Sequence, residues 1–503
     1  MDEIERARIR VFLNDPAGRG DRLVFSDPPL ETESGPWGFR VEGETPEPRE
    51  YEPDTREFLH WQLASALERG KRLWARHLPL ADGWVRGPVL PAVPESGSDL
   101  NAYYDRQALH FFRDVDPKTG AVVHSGDSAD IVTHEQGHAI LDATRPDLWD
   151  APHLEVAAFH EAFGDLAAIF VALAEPALAA AVDSQTKSDP ARSNLVSRLA
   201  EELGAAVRGR YGSDAALPGA LRDAVNEFEY VDPTSLPDSA PARSLSAEPH
   251  SFCRVMTGAC WDVLVTIFRA QPGGDRPAAL VAAAEATALY AVSASETAPS
   301  GADFLGRVAR RMVREARAAG DASAPAIAEA LFRRGLLATP EVPSDLFPDE
   351  DRAVPAPEEG LPAPPELVQA IETRLPPGRG QILMRGARAS AGTPRSLRGR
   401  RLRDLILRGA EYGPADGAAV EISDSFALEF DEAGFLRASR VHPASDRDAD
   451  DARAFVRFLA RGDRIAEPAE PPQPVRDLAA EGKTHAVRRE GDGVRRLRRV
   501  WIA

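Results

Sequence analysis

Ile131-Val-Thr-His-Glu-Gln-Gly-His-Ala-Ile140 carries two histidines four residues apart in a stretch of helical pattern. A spacing of four on an α-helix stacks two side chains on one face, so the imidazoles of His134 and His138 can reach one ion. Glu135 lies about 100° further round the helix, where it can address a water beside that ion rather than ligate it. Two imidazoles and a carboxylate, with a fourth position open, suit Zn2+. Pro146 marks the end of the helix, because its ring and missing N–H cannot continue one. By itself, the five-residue pattern H-E-x-x-H also fits a charged helix face, and a third ligand has to decide between the two.

A ligand set continuing along the same helix would place Gly and His three and six residues after the second His. Those positions are Leu141 and Thr144, so the metzincin pattern is excluded. A second apolar helix downstream, Phe159-His-Glu-Ala-Phe-Gly-Asp165, supplies Glu161 and, one turn later on the same face, Asp165. Glu161 can complete the metal set. Asp165 can accept a hydrogen bond from the ring nitrogen of His134 that does not touch the metal, fixing its tautomer. An apolar helix carries carboxylates only where something satisfies them.

At this point the chain resembles the thermolysin family of gluzincin metallopeptidases. Asn101-Ala-Tyr-Tyr104 is similar to the family's edge strand, and the resemblance implies that Asn101 and Ala102 meet the substrate backbone by strand addition. Residues 130–138 resemble the start of its active-site helix, and residues 160–165 its E-x-x-x-D helix. Leu221-Arg222-Asp-Ala-Val-Asn226 looks like the segment whose Arg holds a substrate carbonyl, and Glu248-Pro-His250, followed by Thr257-Gly258, looks like the segment with the second catalytic His. The five pieces run in the family's order over about 165 residues. The resemblance implies an α+β, two-lobed fold with a β-containing N-terminal lobe, an active-site helix and a helical C-terminal lobe. It implies zinc on His134, His138 and Glu161, Glu135 as general base and His250 as donor to the oxyanion. Ile131 and Leu221 match positions of the primary specificity pocket, so cleavage of a peptide or protein substrate before an apolar residue is expected.

Three departures stand beside the matches. Trp149 occupies the place of an oxyanion-binding Tyr, and its indole N–H is the donor available there. Leu245 replaces the acid five residues before His250, which leaves Glu248 to orient that ring. Ala172 stands where a calcium ligand would be, so the resemblance is not extended to calcium.

The remainder of the 503 residues surrounds this region. Sixty Lys and Arg against 79 Asp and Glu give a net charge of −19, which argues against a nucleic-acid partner. No basic, then apolar, leader pattern opens the sequence, and a cytoplasmic location is expected, with export by a route lacking a cleavable signal left open. The apolar run over 154–182 is broken by Glu155, His160, Glu161, Asp165 and Glu175 and reads as a buried helix, so no membrane span is expected. Cys253 and Cys260 stand about 10 Å apart if helical, beyond disulfide reach.

The predicted division is an N-terminal extension with short strands over 1–56, a peptidase-like domain over 57–338, a linker over 339–366 and a small α+β module over 367–503. The linker has eight Pro in 28 residues and one basic residue against eight acidic ones. The module shows a hairpin pattern around Asp431-Glu432-Ala433-Gly434, a helical pattern at 452–459 and a terminal hairpin around Gly491-Asp492-Gly493. Six Arg in the last twenty residues read as a solvated hairpin face. Two other functions fit the same residues: a zinc-stabilised scaffold that binds a partner without catalysis, and an aminopeptidase, for which no acidic run able to hold a substrate N-terminus is visible. The sequence sets no oligomeric state.

Overall fold

The structure is a computed structural model that describes residues 8–17, 23–78, 83–342, 347–348, 365, 367, 369, 382–387, 396–430, 436–469 and 471–502. It mixes helices and sheets. Among the described residues, most of the linker expected at 339–366 and the turn expected at 431–434 have no place.

The leading residues are built into the body. Strand β1 (Ile9–Phe12) pairs with β2 (Leu23–Ser26) and lies against helix α1 (Arg56–His77). Buried Gln62 of α1 accepts the Phe12 N–H at 2.8 Å and donates to the Phe12 and Asp127 carbonyls, so one amide ties three segments. Thr55 caps α1 by accepting the Phe58 N–H. Phe58, Trp61, Leu63, Leu67 and Trp74 of this helix are all buried. Strand β3 (Gly38–Val41) opens a four-stranded sheet ordered β3, β4 (Val89–Val93), β6 (Leu109–Phe111) and β5 (Ala102–Tyr104), which leaves β5 at the edge.

Next to that edge run the two helices of the motif, α2 (Ala129–Thr144) and α3 (Leu154–Leu173). Every residue of α3 is buried. Its sequence is apolar on all sides, and a helix of that kind belongs at the centre of a bundle. It packs on α2 on one flank and on α6 (Pro249–Ala270) on another, with α7 (Arg276–Thr297) and α8 (Phe304–Ala318) beyond. Among the described residues, three helices, Leu154–Leu173, Pro249–Ala270 and Arg276–Thr297, are long and apolar enough to cross a membrane; the first is wholly buried against protein.

Close approach of α2 and α3 depends on two glycines. A Cβ on Gly137 would stand 2.7 Å from Ala167 Cβ, and one on Gly164 would stand 2.6 Å from the His134 ring. Glycine in a helix costs about 1 kcal/mol relative to Ala, and here it lets two backbones come within side-chain reach. Gly164→Ala is expected to push the imidazole aside and weaken the binding of a metal ion at that ring about tenfold or more. Competition with a chromogenic chelator measures it.

The C-terminal residues form a sheet of their own that leans on the body. Strands β13 (Ser396–Ile406), β14 (Ala419–Phe430) and β15 (Leu436–His442) are antiparallel neighbours. Strands β17 (His485–Arg489) and β18 (Arg495–Arg499) form the terminal hairpin. The expectation of a solvated face holds for Arg488 and Arg489, which are exposed, and fails for Arg496 and Arg498: Arg496 makes two 2.8 Å bonds to Asp404, and Arg498 pairs with Glu421 and Glu490. Asp404 and Glu421 are distant in sequence, and the local charge run does not show them.

Helix α9 (Asp446–Arg461) starts with a capping box of Ser445 and Asp448. Asp448 also accepts the Ala302 N–H, and Asp451 meets His153 at 2.7 Å, so this helix docks on the body through groups that it already uses to start.

Burial of His124 gives a test of the fold. Its Nδ1 accepts the Gly126 N–H at 3.0 Å, and burial pushes its pKa down to about 4. The unfolded chain therefore takes up the proton first as pH falls. Stability present above pH ~6.5 is lost between there and pH ~4, by about 3 kcal/mol. Urea unfolding across that window is expected to show the fall, with a shallower slope in His124→Asn, whose amide oxygen can accept the same N–H.

Candidate metal centre and cleft

His134 and His138 project from one face of α2, with ring centroids 4.7 Å apart and planes at 90°. Glu161 of α3 faces both: its carboxylate oxygens lie 3.6 Å from His134 Nε2 and 3.9 Å from His138 Nε2. One ligand atom from each of the three falls within 4.8 Å of the other two, and all three residues are buried. Both ring nitrogens of His138 and Glu135 Oε2 are buried without a hydrogen-bond partner among the described residues. Orphaned polar atoms converging in this way are costly unless a bound group satisfies them. The donor set fits a tetrahedral ion with an open position, as zinc takes.

Asp165, one turn beyond Glu161, meets His134 Nδ1 at 3.2 Å, as the sequence predicts. It also takes three bonds from Arg222, the shortest 2.7 Å, and that pairing has no signal in the sequence. Burial would raise the Asp165 pKa, but the Arg222 guanidinium and His134 hold it well below the usual carboxylate range. Burial likewise works to depress His134, and its bonds with Asp165 and Glu161 outweigh it, lifting the ring to about 9. Glu135 is 3% exposed, and burial pushes it up to about 8. A divalent cation beside it would draw that value down.

Helix α6 begins with Pro249 in its first turn, where a missing N–H costs nothing. Glu248 caps it by accepting the Ser251 N–H at 2.9 Å, and its other oxygen holds His250 Nδ1 at 2.6 Å. The opposite nitrogen of His250 lies 3.2 Å from Glu161. Glu248 therefore orients His250 toward the centre, as expected once Leu245 is not an acid. Burial opposes the proton on His250, but Glu161 and Glu248 prevail and raise it to about 10.

A cavity of about 370 Å³ opens on these groups. Asn101, Ala102, Ile131, Leu221 and Arg222 line it, together with His134, Glu135, Glu161, Asp165, Glu248 and His250. Leu203 and Val207 of helix α5 (Glu201–Tyr211) add to its apolar side and were not anticipated.

Trp149 is corrected. It is not among the lining residues, and its indole N–H donates to the Arg499 carbonyl at 3.2 Å, so no free donor remains for an oxyanion. The edge strand is also partly taken. Tyr104 N–H donates to Ile502 O, and Ile502 N–H donates to Tyr104 O, both at 2.9 Å, so the chain's own tail adds to β5 at that position. Phe455, His485, Arg499 and Trp501 make the C-terminal residues a wall of the same cavity.

No family model matches this chain, and no curated protein matches it. Among solved structures it is similar to the precursor of protealysin, a metalloproteinase from Serratia proteamaculans. The identity is 15% and the TM-score 0.38, over 59% of this chain and 86% of that one.

Proposed function

We propose that the chain is a zinc-dependent endopeptidase of thermolysin-like type, hydrolysing internal bonds of a peptide or protein substrate before an apolar residue. The observation that carries this reading is the buried convergence of His134, His138 and Glu161, next to a cavity that His134, Glu135 and Glu161 line. Zinc held by those three side chains would supply Lewis acidity at the scissile carbonyl.

Glu135 takes a proton from the attacking water as its oxygen bonds to the carbonyl carbon, and delivers it to the amine as the C–N bond breaks. His250, fixed by Glu248, donates to the oxygen on which negative charge develops. Arg222, held by Asp165, faces the cavity where a neighbouring substrate carbonyl would lie. Asn101 and Ala102 offer the part of the edge strand nearest the centre for substrate pairing. Ile131, Leu203, Val207 and Leu221 favour an apolar side chain on the leaving side.

A mixed peptide library incubated with the zinc-loaded protein, with cut positions read by mass spectrometry, tests the proposal. Internal cuts before apolar residues that a chelator abolishes are expected. Cuts confined to N-termini would point to an aminopeptidase. No cuts with zinc bound would point to a scaffold.

A further inference from the structure

Among the described residues, one cation on the cavity wall has no side-chain hydrogen bond or ion pair, Arg499. Of the charged side chains on its wall, Arg222 is paired with Asp165, His250 with Glu248, and Arg464 reaches the Gly482 carbonyl. Arg499 has no such partner. Its side chain is buried, the residue 9% exposed, and its Nε has no hydrogen-bond acceptor among the described residues. Its guanidinium carbon lies 6.0 Å from the Trp149 ring.

Its backbone, by contrast, is held firmly. The Arg499 N–H donates to Asp150 at 2.9 Å, its carbonyl accepts from Trp149, and three residues later the tail is locked to Tyr104. Burial lowers its pKa to about 10, with Glu161 the largest opposing charge. A buried guanidinium is costly without a counter-charge. Its planar fork of donors matches a carboxylate.

Resting on the peptidase reading above, we propose that Arg499 is a specificity-determining residue that binds a carboxylate of the substrate. Two sources share that chemistry: the C-terminal carboxylate of a peptide, and an Asp or Glu side chain near the cleaved bond. The C-terminal module would thus take part in substrate choice.

The test compares matched hexapeptides on the full zinc-loaded chain. One is neutral, acetylated and amidated; one has a free C-terminal carboxylate; and a set carries Glu in place of Gln at each position in turn. One carboxylate-bearing peptide is expected to show kcat/KM about tenfold or more above the neutral one, mostly through KM. Arg499→Gln is expected to bring that ratio close to one, and Arg499→Lys to restore part of it. The peptide that carries the preference identifies the source. Equal turnover of neutral and acidic peptides by the wild type, or a preference that survives in Arg499→Gln, overturns the proposal.

If no peptide is cut, the peptidase reading fails separately, and calorimetry on the same peptides decides the role of Arg499. Binding of a carboxylate peptide about tenfold tighter than the neutral one, lost in Arg499→Gln, supports it. Equal affinities reject it.

Discussion

Glu135→Gln is expected to lower kcat/KM for peptide hydrolysis by about a thousandfold while leaving zinc content unchanged, in line with the 10²–10⁴ typical of a positioned general base. Glu135 sits one residue after His134 on α2, so its side chain leaves the helix in a different direction from the two ligands. Its Oε2 is buried without a partner among the described residues, facing the cavity rather than a structural hydrogen bond. An amide of the same shape fills that space and cannot accept the proton of water. The measurement is steady-state kinetics on a peptide identified from the library, alongside metal analysis of the same preparations. Unchanged turnover with zinc bound would remove Glu135 from the mechanism.

Asp165→Asn is expected to have the largest structural effect at the site. The carboxylate takes three bonds from the Arg222 guanidinium and one from His134, while Thr257 Oγ1 approaches at 3.2 Å. Removing its charge strands a buried guanidinium, at a cost of about 3–5 kcal/mol. It also frees the His134 ring, which should reduce zinc affinity about 10- to 100-fold. The sign with pH follows from the depressed carboxyl. The contribution is present above the unfolded Asp value and is lost as pH falls through the folded one. Chemical unfolding of wild type and Asp165→Asn at neutral pH, with chelator present, measures the stability difference; zinc competition measures the affinity. A difference under about 1 kcal/mol would contradict the assigned pairing, since only surface ion pairs are worth so little.

What the sequence made legible at this site was what local periodicity encodes. His134 and His138 at a spacing of four, and Glu161 with Asp165 one turn on, are adjacent because a helix makes them so. Glu248 and His250 were legible through the resemblance of Glu248-Pro-His250 to a known segment, with Leu245 unable to serve as the orienting acid. The terminal hairpin was readable from its local turn residues.

Contacts between distant segments left no such trace. Asp165 meets Arg222 across 57 residues, and Asp150 meets Arg499 across 349. Arg496 and Arg498 of the terminal hairpin looked solvated because two of their acids, Asp404 and Glu421, lie far away in sequence. Gly137 and Gly164 read as weak helix formers, and only the crossing of α2 and α3 explains them. Trp149 was assigned by its place in a motif, whereas the docked tail claims its N–H.

The most direct test of the account is zinc stoichiometry of the purified full-length chain and of His138→Ala and Glu161→Ala, measured by mass spectrometry after equilibration with a weak chelator. The account predicts one zinc per wild-type chain and far less in both variants, with folding intact by circular dichroism. A wild type that retains no zinc, or variants that retain as much as the wild type, would contradict it.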